Sequence, residues 1–123
     1  LDDEGYLFIV DRIKDLVIRG GENIGCAEVE AALLALDQVL EASVYAVPDA
    51  RLGEEVGATL YAQADLDIAE IQTQLAAHIA KFKIPRYIHL QTEPLPRIAS
   101  GKIDKRTLRS IATSRLGLTG QLV

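Results

Sequence analysis

Two apolar segments in the middle of the chain, residues 39–47 and 56–62, are separated by a short turn that contains Pro48, Asp49 and Gly53. These residue types reverse a chain through a fixed φ, a side chain that bonds nearby backbone, or freedom to adopt a positive φ. Strands joined by so short a connection pair antiparallel, because a parallel pair needs a crossover of a dozen or more residues. The connection therefore argues against a doubly wound parallel sheet and favours a small mixed sheet with helices packed on it.

The residues before this strand pair predict a hairpin and a helix. Runs of β-branched and aromatic residues at 6–10 and 16–18 indicate two strands around a polar corner, which form an N-terminal hairpin. A glycine loop over residues 20–25 follows, and apolar residues at helical spacing then predict a helix over 27–36.

The residues after the pair predict two more helices and one strand. Asp67 and Glu70 stand at capping-box spacing, and Pro85 is expected to end the helix that they begin. Its apolar stripe is Ile68, Ile71, Leu75, Ile79 and Phe82. Residues 87–91 predict a strand, and a last helix starts near Asp104. The buried side of that helix is expected to be Leu108, Ile111 and Leu116, with Gly117 as its stop.

Composition fits one α+β domain over residues 1–123, with a small mixed or antiparallel sheet, about three packed helices and the N-terminal hairpin. The single cysteine, Cys26, excludes an internal disulfide and favours a reducing, cytoplasmic location. No apolar run approaches the ~20 residues that cross a bilayer, so no transmembrane segment is expected. The chain contains no methionine and starts at Leu1 in a strand-like context, which indicates a fragment of a larger protein.

Charge is distributed unevenly along the chain. Residues 1–80 carry 4 basic and 16 acidic side chains, whereas residues 81–109 carry 8 basic and 2 acidic ones. An acidic remainder and few aromatic residues argue against a nucleic acid as the partner of this basic segment. A small phosphorylated ligand fits it better.

One lysine of the basic segment, Lys102, follows Ser100 and Gly101 in a proline-rich loop directly before the last helix. Glycine lets the backbone approach a ligand, and the helix start offers free N–H groups and a positive dipole end, so Lys102 is the candidate for a phosphate contact. A Walker-type loop is excluded, because it needs a glycine where Pro96 stands. Taken alone, such a tripeptide is more often an ordinary solvated turn.

The other candidates are weaker when taken singly. Cys26, His78 and His89 have no metal-ligand or triad spacing, so we expect Cys26 to be a small buried side chain, both histidines to be structural, and no metal site. Gly20 and Gly21 lack the spacing of a dinucleotide loop and suit a tight turn.

The order of the motifs, however, closely resembles the C-terminal domain of the adenylate-forming enzymes, the superfamily of acyl-CoA synthetases, firefly luciferase and peptide-synthetase adenylation domains. The resemblance covers nearly the whole chain. The blocks that carry it are residues 11–24 (DRIKDLVIRGGENI), 27–30 (AEVE), 47–54 (VPDARLGE), 83–85 (KIP) and 95–103 (LPRIASGKI), followed by Arg106 and Leu108-Arg109.

This resemblance implies that the chain is a mobile lid that closes over an N-terminal adenylation domain, here absent. Lys102 matches the catalytic lysine of adenylate formation, Lys14 the hinge residue within 11–15, and Arg12 an arginine near the nucleotide ribose. The loop that lines the pantetheine channel during thioester formation matches Gly20, Gly21, Glu22, Asn23 and Ile24.

The resemblance also implies a reaction and its ligands: ATP, a carboxylic acid and coenzyme A give acyl-CoA, AMP and pyrophosphate. ATP and Mg²⁺ would bind mainly to the N-terminal domain, so the fragment alone is expected to be inactive. Candidates for coenzyme A phosphate contacts, chosen by charge, are Lys81, Lys83 and Arg86.

Two points stay open at this level. Gly25 and Cys26 stand where the family often has an aromatic residue and a proline, so the channel loop departs from the family pattern there. Gly-Gly-Glu-Asn-Ile is typical of fatty-acyl and aryl-acyl CoA synthetases. The alternatives are a nonribosomal-peptide or aryl-acid adenylation domain and a free-standing, non-catalytic phosphate-binding module.

Overall fold

The computed structural model describes residues 15–62 and 66–118. Their elements are β1 (Leu16–Arg19), β2 (Glu22–Gly25), α1 (Cys26–Leu34), β3 (Glu41–Asp49), β4 (Gly53–Tyr61), α2 (Ile68–Leu75), a short 3-10 helix (Lys81–Lys83), β5 (Tyr87–Gln91) and α3 (Lys105–Leu118). The α+β class, with three α-helices and one small sheet, is confirmed. The strand predicted at 6–10 lies outside the described residues.

The sheet is mixed and is built around the predicted strand pair. β3 and β4 pair antiparallel along their whole length, from Glu41 opposite Tyr61 to Asp49 opposite Gly53. Asp49 Oδ1 closes the turn by accepting from the N–H groups of Arg51 (2.9 Å) and Leu52 (2.8 Å). β5 adds parallel to β4 over residues 57–61, and the β1–β2 hairpin adds antiparallel to the start of the same strand, where Arg19 pairs with Gly53.

Both faces of the central strands are covered, which explains why residues 42–47 and 55–60 are buried without interruption. One face packs on α1 and α2, through core side chains that include Val29, Leu33, Val44, Leu60, Ile71 and Leu75. The other face packs on α3, through Tyr45, Val47, Leu95, Leu108 and Leu116. The domain is thus a sheet between two helical layers.

The glycine loop predicted at 20–25 is shorter in the structure. Only Gly20 (φ 57°) and Gly21 (φ 91°) form the turn, and residues 22–25 pair with β1 as strand β2. Two positive φ angles in a two-residue turn match the right-handed twist of the strands that they join. The N-terminal hairpin within the described residues is therefore β1–β2.

The helix predicted from Asp67 to Pro85 was correct at its start and wrong at its end. Asp67 caps it by accepting from the Ala69 N–H (3.0 Å), as expected. The helix stops at Leu75, because the following N–H groups of residues 77 and 78 bond three residues back and tighten the chain into a turn. The predicted stripe residues 79 and 82 still pack on the core from this turn and the 3-10 helix.

The last helix starts where the sequence predicted, with Asp104 as its cap, but two details differ. Ile111 is 46% exposed, because the buried stripe runs through Leu108, Ala112 and Leu116. The helix also continues through Gly117 to Leu118. Within residues 15–62 and 66–118, no helix combines the length and apolar character that a membrane span requires.

Gly57 provides a sharp test of this packing. An ideal Cβ at Gly57 would stand 2.9 Å from Tyr45 Cε1, and the Tyr45 ring is buried with its hydroxyl 2.7 Å from Thr59 Oγ1. We predict that Gly57→Ala lowers the free energy of unfolding by about 1–3 kcal/mol, the usual effect of overpacking a core. Urea denaturation followed by circular dichroism measures the loss.

Gly25→Ala is the matched control, because its backbone is extended (φ −74°) and no heavy atom beyond its chain neighbours lies within 4 Å of the added Cβ. It should change the free energy of unfolding by at most about 1 kcal/mol. Equal losses in both variants would show that the Tyr45 contact is not the cause.

Candidate functional site

Lys102 lies in a closed hairpin, which we call the lysine loop (residues 97–103). Within it the Gly101 N–H donates to Ile98 O (2.9 Å), the Ile98 N–H donates to Lys102 O (2.9 Å), and Arg97 pairs with Ile103 as an antiparallel bridge. Gly101 has φ 92°, so the turn needs a glycine directly before the lysine. The loop has a defined backbone from which Lys102 projects.

An ion pair fastens this loop to the sheet. The Arg97 guanidinium donates to Gly101 O (2.8 Å) and pairs with Glu41 at the start of β3. The second oxygen of Glu41 accepts from the N–H of buried Leu95 (2.8 Å). The residue before Lys102 is therefore tied through one arginine to a central strand.

The ammonium group of Lys102 is exposed and forms no ion pair with the residues that the structure describes. Together with Asp15, Lys105 and Arg106, Lys102 lines an open depression of about 740 Å³. Arg106 likewise has no carboxylate partner there. Asp104 also lines the depression, but its carboxylate is bonded to Thr107, and the lining keeps a net positive charge that suits an anionic ligand.

Lys105, three residues further on, differs sharply from Lys102. Its ammonium is shared between Asp15 Oδ1 (2.7 Å) and Glu30 Oε2 (2.9 Å). Burial disfavours the charged form, but the hydrogen bond to Asp15 and the charge of Glu30 outweigh it and raise the pKa of Lys105. Lys105 is thus a neutralised structural cation, and Lys102 is a free one.

The start of α3 does not offer the free N–H groups that the sequence led us to expect beside Lys102. Asp104 Oδ1 accepts from the Thr107 N–H (3.2 Å), and Asp104 Oδ2 accepts from the Thr107 hydroxyl (2.7 Å). A carboxylate already occupies the helix end. An anion in the depression is therefore left to the side chains of Lys102 and Arg106.

The predicted channel residues form the β1–β2 turn and its second strand. The Gly20 N–H donates to Leu52 O (3.0 Å), and a Cβ at Gly20 would stand 3.1 Å from the Leu52 side chain. The exposed members of the set are Gly20, Gly21, Glu22 and Asn23. Ile24 is fully buried in the core, so its side chain supports the hairpin from below and cannot line a channel.

Two glutamates at the start of β4 hold this hairpin. Arg19 Nε donates to both carboxylate oxygens of Glu55 (2.8 and 3.0 Å), whose side chain is 1% exposed. Glu54 Oε1 accepts from the Ile18 N–H (2.8 Å). A buried carboxylate with a guanidinium partner is strongly constrained, because loss of either partner leaves an unpaired charge.

The three cations proposed for coenzyme A phosphates have different surroundings. Lys83 donates to both carboxylate oxygens of Glu28 on α1 (2.9 and 3.0 Å), and so is already paired. Arg86 lies over the Tyr87 ring (5.4 Å) at the rim of a separate cavity of about 420 Å³ between α3 and the sheet. Lys81 is exposed.

Cys26 is a small buried side chain, as the sequence predicted, and the structural role of the histidines stays a prediction. Cys26 is 1% exposed, and burial is the main cause that raises the pKa of its thiol to about 12. His89 lies in β5, where burial and the charge of Arg115 lower its pKa and leave Nδ1 paired with Arg115 Nη1 (2.8 Å). Within the described ranges, no group of three or more His, Cys, Asp or Glu side chains could hold a metal.

Two of the predicted site residues, Arg12 and Lys14, lie outside the described residues. The acidic residues that hold the two loops were not predicted from the sequence. The missed partners are Asp15, Glu30, Glu41, Glu54 and Glu55. Only Glu54 and Glu55 had a local signal in the sequence, because two adjacent glutamates stand at the start of an apolar strand.

The burial of the Cys26 thiol can be tested by alkylation. A thiol pKa near 12 instead of 9.0 lowers the thiolate fraction at about pH 8 by roughly a thousandfold, and thiolate is the reactive form. We predict that iodoacetamide leaves Cys26 unmodified in the folded protein and modifies it in denaturant. Mass spectrometry of the peptide that contains Cys26 measures both, and rapid native alkylation would contradict the buried position.

Comparison with known proteins identifies the class. Residues 28–102 match the family of the AMP-binding enzyme C-terminal domain, and the chain belongs to this family. Lys102 is the last residue of the match.

Particular relatives are carboxylate–CoA ligases. The chain is 43% identical over 110 residues to the 2-succinylbenzoate–CoA ligase of Bacillus pumilus, covering 89% of this chain and 22% of that protein. It resembles the solved structure of a Mycobacterium tuberculosis fatty acyl CoA synthetase with a TM-score of 0.78 and 31% identity, covering 85% of this chain and 21% of the other.

A third relative was solved with a reaction intermediate. It is o-succinylbenzoate CoA synthetase from Bacillus subtilis in complex with its acyl-adenylate, with a TM-score of 0.72 and 37% identity, covering 77% of this chain and 19% of that one. The chain thus spans about a fifth of the length of each relative.

Proposed function

We propose that this chain is the mobile C-terminal lid of an ATP-dependent, AMP-forming acid–CoA ligase, with its own N-terminal adenylation domain as partner. The observation that carries the proposal is an unpaired lysine, Lys102, on a rigid loop beside an open depression. The acyl-adenylate bound by the Bacillus subtilis relative supports the same reaction class.

In the first half-reaction, a carboxylate attacks the α-phosphorus of ATP, and acyl-adenylate and pyrophosphate form. Lys102 places its ammonium against the oxygens on which negative charge shifts during this attack. Because the loop is already folded, little reorganisation is needed at the moment of reaction, which is the condition for effective electrostatic stabilisation. Arg106 lines the same depression and adds positive charge beside the phosphates.

The described residues of this chain suit the phosphate groups of ATP. Mg²⁺ neutralises phosphate charge when it enters with ATP, and we assign it mainly to the N-terminal domain. Lys102 and Arg106 suit the phosphate oxygens, whereas the described residues form no cluster of metal-binding side chains. We assign Arg12, which lies outside those residues, to the ribose.

In the second half-reaction, the thiol of coenzyme A attacks the acyl carbonyl, and acyl-CoA and AMP form. We assign the β1–β2 turn to this step: Gly20 and Gly21 have no side chain, so the pantetheine arm can pass close to their backbone. Glu22 and Asn23 are exposed on the same turn. Rotation about Lys14 exchanges the lysine loop for this turn.

The remaining assignments concern the substrates. Lys81 and Arg86 stay candidates for the coenzyme A phosphates, whereas Lys83 would first have to leave Glu28. The proposed substrate is a fatty acid or an aryl carboxylic acid. The proposed location is the reducing cytoplasm. The relatives favour a CoA ligase over a peptide-synthetase domain or a free-standing phosphate-binding module.

Lys102→Ala tests the first half-reaction. In the full-length ligase, the rate of acyl-adenylate formation should fall about 10²–10³-fold, the usual effect of removing one preorganised donor. Thioester formation from supplied acyl-adenylate and coenzyme A should change little. Pyrophosphate release and acyl-CoA formation measure the two steps separately.

Gly21→Ala tests the second half-reaction. It keeps the space around residue 21 open but strains a backbone held at φ 91° by about 1–2 kcal/mol. Thioester formation should slow by roughly tenfold while adenylation is spared. Equal losses of both steps in Lys102→Ala and in Gly21→Ala would contradict the two-loop proposal.

Lys14→Pro tests the hinge. Proline fixes φ near −65° and should block the rotation that brings the turn at residues 20–21 into use. We expect adenylation to continue and thioester formation to slow, measured by the same two assays. An unaffected thioester step would remove Lys14 from the hinge.

A further inference from the structure

Three charged side chains from distant parts of the chain meet beside the lysine loop. Asp15 directly precedes β1, Glu30 belongs to α1, and Lys105 is the first residue of α3. The Lys105 ammonium lies 2.7 Å from Asp15 Oδ1 and 2.9 Å from Glu30 Oε2. We call these three residues the Lys105 cluster.

Each carboxylate of the cluster is itself part of a fixed backbone. Glu30 Oε2 also accepts from the N–H of Val44 in the centre of β3 (2.9 Å), and Asp15 O accepts from the N–H of Cys26 (3.2 Å). The Lys105 side chain is 29% exposed, so water screens this ion pair only in part. The cluster therefore ties α3 to β1, α1 and β3 at one point.

The cluster also lies close to Lys102. Lys105 and Lys102 are separated by two residues, both line the depression together with Asp15, and the Lys105 N–H donates to Ile103 O (2.9 Å). The Arg97–Glu41 pair fixes one end of the lysine loop to β3. The Lys105 cluster fixes the other end.

Asp15 is also the residue that follows Lys14, the proposed hinge. A direct ion pair between Asp15 and Lys105 therefore connects the hinge side of the domain to the loop that carries Lys102, across 90 residues of sequence. Without this ion pair, the hinge and the lysine loop would be connected only through the elements that lie between them in the sequence.

We propose that Lys105 is a positioning residue for the adenylation step, which holds the lysine loop to the hinge side of the domain so that Lys102 arrives at one defined place when the lid closes. The inference rests on the proposed function of Lys102. Lys105 itself does not touch the phosphates, because two carboxylates already share its ammonium.

The experiment uses the full-length ligase and the variants Lys105→Met, Lys105→Arg and Asp15→Asn. Methionine keeps the approximate length of the side chain and removes its charge. We expect kcat for adenylation to fall about 10–100-fold in Lys105→Met, since a misplacement of about 1 Å has effects of this size. The KM values for ATP and acid, and thioester formation from supplied acyl-adenylate, should stay nearly unchanged.

Arginine can bridge the same two carboxylates, so Lys105→Arg should restore most of the rate. Asp15→Asn keeps the Glu30 pair and the fold, and should lower the same kcat by a smaller factor. Thermal melting of each variant identifies any that fails to fold, and Asp15→Asn then serves as the test. An equal loss of both half-reactions in folded Lys105→Met would overturn the proposal.

A double-variant cycle separates positioning from general stability. If Lys105 acts through Lys102, then adding Lys105→Met to Lys102→Ala should lower adenylation no further. The same 10–100-fold loss in that background would overturn the inference. If Lys102→Ala alone has no effect, the proposed function fails; if only Lys105→Met has none, the inference alone fails.

Discussion

Nine residue pairs between β3 and β4 form the ladder to which both candidate loops are anchored. Glu41, at one end of this ladder, holds the lysine loop through Arg97, whereas Glu54 and Glu55, at the other end, hold the β1–β2 hairpin. Glu41 and the partner of Glu54 are seven residues apart on β3, which corresponds to about 24 Å. The two anchors thus stand at opposite ends of one buried, rigid unit.

This arrangement gives a physical basis for the proposed use of one domain in two reaction steps. A rigid unit that carries a different loop anchor at each end can exchange one loop for the other by turning as a body, without refolding either loop. Burial on both faces is what makes the pair rigid, because residues 42–47 and 55–60 leave neither strand a solvated side. Gly57 is part of that fit, since the Tyr45 ring occupies the space above it.

Local sequence patterns predicted the elements that local interactions determine. The turn at Asp49, the cap at Asp67 and the helix start at Asp104 each depend on a side chain bonding backbone two or three residues away. Two predictions were wrong, the end of α2 and the burial of Ile111: the apolar stripe of α2 continues past Leu75 into a turn and the 3-10 helix, and Ile111 lies beside the buried stripe of α3. A periodic stripe indicates which residues face the core and does not show where the helix itself ends.

The anchors of the site could not be read from the sequence for a related reason. Their partners lie 36, 56 and 90 residues apart, and charged residues at such separations have no shared local pattern.

Lys102 and Lys105 show why this matters for function. Lys102 lies in the loop just before α3 and Lys105 is the first residue of that helix, and the sequence pattern does not show which of the two is paired in the fold. Asp15 and Glu30 neutralise Lys105, whereas Lys102 has no ion-pair partner among the described residues. A charge is useful to a developing transition state only when no other group in the fold has already compensated it. The acidic residues that pair with Lys105 and Arg97 therefore help to determine which cations of the basic segment stay free for the proposed phosphate contact.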